Sequence, residues 1–144
     1  MKTKPKVLTV KKVSTSYNIS VPIKHLIDFP NLEIGMCVEM GPNMETVVFS
    51  MEEEDDKTFT TYYGPCHELY YVIEGELTMY WGKDAEKLRS GTSEKFVMHP
   101  GDIGHWVPGW KYRAKNTGTV PVKFLYCITR TPPGYKYRRT PGLG

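Results

Sequence analysis

Chemistry in this 144-residue chain centres on Glu68, which opens the run Glu68-Leu69-Tyr70-Tyr71-Val72-Ile73-Glu74-Gly75. Strand alternation puts Glu68 and Tyr70 on one face and the preceding His67 on the other. A carboxyl beside tyrosines suits proton transfer, because a dry setting raises its pKa and a phenol can donate to it or act as an acid. A second segment, Pro100-Gly101-Asp102-Ile103-Gly104-His105-Trp106-Val107-Pro108-Gly109, is followed by Tyr112 and Asn116. Four histidines (His25, His67, His99, His105) are the nitrogen donors available to a metal. Cys66 adjoins His67, but without a low-pKa environment a buried, inert thiol is expected. The acidic run 52–56 fits no calcium loop and is expected to be a solvated hairpin loop.

The elements that must position these residues are short strands. The chain holds ten Tyr, five Phe and three Trp with 13 Gly and 11 Pro, but only two alanines, Ala85 and Ala114. Strong helix formers are therefore thin and strand and turn formers plentiful, which excludes a helix bundle. Strands are predicted at Val7–Val10, Leu32–Glu39, Thr46–Met51, Thr58–Tyr63, Glu68–Glu74, Leu77–Trp81, Lys95–Met98, Asp102–Val107, Lys111–Lys115 and Val122–Thr129. Gly-, Pro- and Asn-rich turns separate them, the pattern of an all-β sandwich or barrel.

In this order the two segments resemble the cupin superfamily, small jelly-roll β-barrels. Glu68-x6-Gly75 matches the latter half of the first cupin motif, G-x5-H-x-H-x3,4-E-x6-G; Gly101, Gly109 and Asn116 match the second, G-x5-P-x-G-x2-H-x3-N. The expected fold is a single cupin-type jelly-roll barrel over 32–130, with an N-terminal strand and connecting segment at 1–31 and a Pro/Gly-rich basic tail at 131–144. The resemblance implies a metal held by two first-motif histidines, the Glu and the second-motif His. Here the first-motif positions fall on Tyr62 and Gly64, or on Thr61 and Tyr63, and the second on Tyr112, so Glu68 alone remains of the usual set.

The same alignment points Glu68, Tyr70, Trp106 and Tyr112 into the barrel with Gly104, and turns His67 and His105 outward. The expected site is an aromatic cage around one carboxyl: Glu68 and Tyr112 as the acid–base pair, with Tyr62, Tyr63, Tyr70 and Trp106 lining the ligand. The function expected from it is binding of a small organic molecule, with lyase or isomerase chemistry. The alternatives are a non-catalytic binding or sensor module, and an enzyme using a divalent transition metal on a rearranged set of Glu68, His67 and His105.

Composition narrows the partners. The net charge of +3 conceals six lysines and no acid in residues 1–24, four basic residues in 129–144, and a balance of −7 between them. A nucleic-acid binder more often carries a basic stripe on its folded body, so no nucleic-acid partner is expected. Apolar stretches such as Tyr70–Ile73 are too short to cross a bilayer. Three well-separated cysteines (Cys37, Cys66, Cys127) without a CxxC suggest a reduced, cytoplasmic protein. Val7–Val10 is the candidate edge strand for a homodimer, a state common among cupins.

Overall fold

Alternation of apolar and polar residues in the short strands builds two facing antiparallel sheets, described in a computed structural model for residues 4–9, 32–50 and 67–129. One sheet has five strands in the order β1-β7-β4-β9-β2: Lys6–Thr9 (β1), Leu32–Met40 (β2), Glu68–Glu74 (β4), Asp102–Trp106 (β7) and Val122–Thr129 (β9). The other has four, in the order β3-β8-β5-β6: Phe49–Ser50 (β3), Leu77–Gly82 (β5), Glu94–Met98 (β6) and Lys111–Asn116 (β8). Tyr70, Val72, Trp106, Phe124 and Ile128 of the first sheet meet Leu77, Met79, Met98, Tyr112 and Ala114 of the second to form the core. This is the jelly-roll architecture that the resemblance implied, and β4 and β9 keep their predicted bounds.

Two differences have local causes. Among the described residues, the strand expected at Thr46–Met51 is reduced to Phe49–Ser50, paired with Tyr112 and Lys111. Upstream, the Thr46 hydroxyl takes the Ala114 N–H at 2.9 Å, so a side chain replaces a ladder bond. Between β5 and β6 lies a helix, α1 (Ala85–Ser90), that the sequence analysis did not predict. Asp84 caps it by accepting from the Glu86 and Lys87 amides, Gly91 ends it in the left-handed conformation, and fully buried Leu88 docks on Tyr80 and Val48. Arg113 stacks over Tyr80 and donates to the Leu88 carbonyl at 2.7 Å, tying α1 to β8. β1 is an edge strand as expected, paired on one side with β7. The strand predicted at 58–63, residues 10–31 and the tail 131–144 lie outside the described residues.

The motif residues that survive from the resemblance have structural work. Gly75 has φ +82°, and a Cβ there would meet the Pro121 carbonyl at 2.7 Å, so the β4–β5 turn takes no side chain. Asn116, fully buried, donates to the Met40 and Val120 carbonyls at 2.9 and 2.8 Å and accepts from the Gly118 amide at 2.9 Å. Asn116→Ala should lower stability by about 2 kcal/mol in urea unfolding, because it strands buried backbone groups. An unchanged midpoint would mean that these bonds contribute little.

Candidate functional site

β4 supplies the carboxyl. Glu68 stands opposite Trp106 of β7 on one side and Ile128 of β9 on the other; one step along, Tyr70 stands opposite Gly104 and Tyr126. These residues share the inner face of the five-stranded sheet, with Tyr112 approaching from β8. Ring centroids of Tyr70 and Trp106 lie 5.8 Å apart edge-to-face, and those of Trp106 and Tyr112 6.0 Å apart. Gly104 is small for a reason: a Cβ there would lie 2.2 Å from the Trp106 ring, so the indole lies across the glycine.

Glu68 is 2% exposed, and burial pushes its carboxyl up to about 8, against the opposing effect of a hydrogen bond from Tyr126. At neutral pH the acid form therefore predominates. Its Oε2 has no hydrogen-bond partner among the described residues, nor has the buried Trp106 Nε1. Two orphaned polar atoms thus sit on cross-strand neighbours, whose Cβ atoms in antiparallel sheets are about 5 Å apart.

The structure brings together four of the predicted site residues, Glu68, Tyr70, Trp106 and Tyr112. Tyr62 and Tyr63 lie outside the described residues. Tyr112 shares the predicted face, but its hydroxyl donates to the Val107 carbonyl, which commits its proton to the turn after β7. Among the described residues, the phenol that reaches Glu68 is Tyr126, which was not among the predicted site residues. Its strand was legible, but its nearness to Glu68 follows from the β4–β9 register, which involves residues far apart in the chain.

His67 and His105 take the outer face, as parity predicted, but His105 is not a surface residue. It is 4% exposed and lies under His67, with Nδ1 of His67 2.9 Å from Nε2 of His105 and ring centroids 5.1 Å apart. Burial first, then His67 and Lys6, lower the His105 pKa to about 4. A base whose folded pKa is depressed stabilises fully above its unfolded value, near 6.5, and progressively less as pH falls toward 4. The stability of the native protein relative to His105→Gln should therefore decline between about pH 6.5 and 4, read from urea midpoints. A pH-independent difference would show that His105 does not titrate in this way.

The cupin metal does not fit these residues. Glu68 faces aromatic rings, whereas His67 and His105 lie on the opposite face of the sheet, so the rearranged set Glu68, His67, His105 is not assembled. Among the described residues no three His, Cys, Asp or Glu side chains come together as a metal site.

Half-buried Trp81, Phe96 and Trp110 extend the aromatic wall at the same end of the barrel, and they too were absent from the predicted site. Among the described residues no helix is long and apolar enough to cross a membrane.

No protein-family model and no curated protein matches the chain. Solved structures do. A Thermotoga maritima protein described as a predicted oxalate decarboxylase is similar at a TM-score of 0.51 and 15% identity, over 75% of this chain and 73% of that one. The Schizosaccharomyces pombe Cnp3 cupin domain is similar at a TM-score of 0.50 and 16% identity, over 70% of this chain and 54% of that one. With the two-sheet order and the glycine and asparagine positions explained above, these likenesses show that the chain has the cupin fold.

Proposed function

We propose that the barrel end built on Glu68 and Trp106 binds a small organic molecule and moves a proton on it, as a lyase or isomerase does. The observation that carries this reading is the pair of atoms without a hydrogen-bond partner among the described residues, Glu68 Oε2 and Trp106 Nε1, buried on neighbouring strands. Burial without partners is costly, and a ligand oxygen between them satisfies both. In its ionised form Glu68 takes a proton from the carbon beside a carbonyl. The electron pair moves to the carbonyl oxygen, where the Trp106 N–H stabilises the charge, and Glu68 then returns the proton. Tyr126 supports the carboxylate while the proton is away. A carboxyl near 8 suits both directions, since its affinity for the proton is close to the working pH.

The test is exchange of the α-protons of cyclohexanone in D2O, followed by proton NMR. The native protein should accelerate exchange with a rate that rises to a plateau above about pH 8, and Glu68→Gln should fall to the buffer rate. Native exchange no faster than that variant overturns the proton-transfer reading. The proposal also keeps a second copy of the chain as partner, supported by exposed Ile73 and Leu125.

A further inference from the structure

All three tryptophans of the chain, Trp81, Trp106 and Trp110, meet at one end of the barrel. Trp81, near the end of β5, stacks on Phe96 of β6 with ring centroids 6.0 Å apart and planes 9° from parallel. Trp110, in the turn before β8, stands edge-on to Trp81 at 5.0 Å. Phe96 in turn reaches Trp106 at 6.1 Å, so the rings run without a break from the rim to the buried indole N–H. Along this run exposure falls: Trp81, Phe96 and Trp110 are half-buried, and Trp106 is fully buried. The rim is also held in place. Lys83 donates to the Gly109 carbonyl and lies 4.6 Å over the Trp110 ring, which fixes the indole beside its neighbours.

We propose that Trp81, Phe96 and Trp110 are the recognition wall for a planar, uncharged ring, whose hydrogen-bond acceptor points inward to Trp106 Nε1 and Glu68. The inference rests on the reading that the Glu68–Trp106 end is the ligand site, and it adds the ligand's chemical class. Flat π-faces favour a flat π-partner, since aromatic pairs gain more than their buried area supplies. The requirement for an uncharged ligand follows from what surrounds Glu68. Lys111 and Arg113 alternate away from inward-facing Tyr112, Lys6 pairs with outward-facing His105, and Lys83 is engaged at the rim. An anion carried to Trp106 therefore loses its water without gaining a counter-charge from the described residues.

The test titrates the nitrogen-15-labelled full chain with benzamide, cyclohexanecarboxamide and benzoate near neutral pH, and reads the three indole N–H resonances. Benzamide should shift all three signals and bind about tenfold more tightly than cyclohexanecarboxamide, which has the same amide on a puckered ring. Benzoate should bind at least about tenfold more weakly than benzamide. Trp110→Leu should raise the benzamide Kd about tenfold and leave that of cyclohexanecarboxamide unchanged. If both amides shift Trp106 with equal affinity, or Trp110→Leu changes neither, the wall is overturned while the Glu68–Trp106 site stands. Equal binding of benzoate overturns the uncharged class. If no probe shifts the Trp106 signal, the site and the wall fall together. The benzamide and cyclohexanecarboxamide comparison uses the native chain, so it decides the matter even if Trp110→Leu fails to fold.

Discussion

Glu68→Gln should leave the barrel folded, remove its sensitivity to alkali and abolish proton transfer. Gln keeps the shape of the protonated carboxyl, and its side-chain oxygen can still accept from Tyr126, so stability near pH 5 should change by no more than about 1 kcal/mol. The difference appears as pH rises. Burial raises the Glu68 pKa from 4.5 to about 8, so the folded chain holds this proton more tightly than the unfolded chain does. Stability from that group is full below 4.5, declines across the interval, and is lost completely above about 8. A full loss over that interval is on the order of 5 kcal/mol. The variant has no proton to lose, so its urea midpoint should stay level where the native midpoint falls. Its rate in any reaction that uses Glu68 as acid or base should drop at least about a hundredfold. Parallel pH curves for the two proteins would show that Glu68 is not the desolvated acid described here.

Gly104→Ala should be strongly destabilising. The new Cβ would stand 2.2, 2.5 and 2.9 Å from three atoms of the Trp106 ring, and contacts under 3 Å force something to move. The indole has little room to give, being fully buried between Tyr70, Phe96 and Tyr112. Overpacking of this kind costs about 3 kcal/mol and moves the indole off Glu68, so ligand binding should weaken along with stability. Urea unfolding reads the first effect and the Trp106 indole resonance the second. Adding Trp106→Phe should restore part of the stability, because a smaller ring leaves space for the methyl. Strict additivity of the two changes would show that these residues do not press on each other.

Much of the fold was legible because short-strand chemistry is local. Glu68–Glu74 and Val122–Thr129 declare themselves through β-branched and aromatic runs that end at turn residues, and the structure keeps those bounds. The α1 helix is hard to see in the sequence although its punctuation is present. Asp84 and Gly91 bracket six residues whose one buried side chain, Leu88, leaves little apolar periodicity to see. Parity also carries far, since it puts Trp106 and Gly104 inside and His105 outside without reference to strand pairing. It did not reveal that the outer face is closed over His105, because burial depends on what packs above a strand.

The sequence by itself determined the barrel, the inward carboxyl and the loss of the usual histidine ligands, since residue type and a two-residue period set these. The tertiary structure alone decided which of the described phenols reaches Glu68. The β4–β9 register aligns Tyr126 with Tyr70, while the Tyr112 hydroxyl donates its hydrogen bond to the Val107 carbonyl. It likewise decided that Trp81, Phe96 and Trp110 form one wall with Trp106, because that contact joins β5, β6 and the β7–β8 turn. Alternation along a strand fixes a face; only the pairing of distant strands decides which neighbours share it.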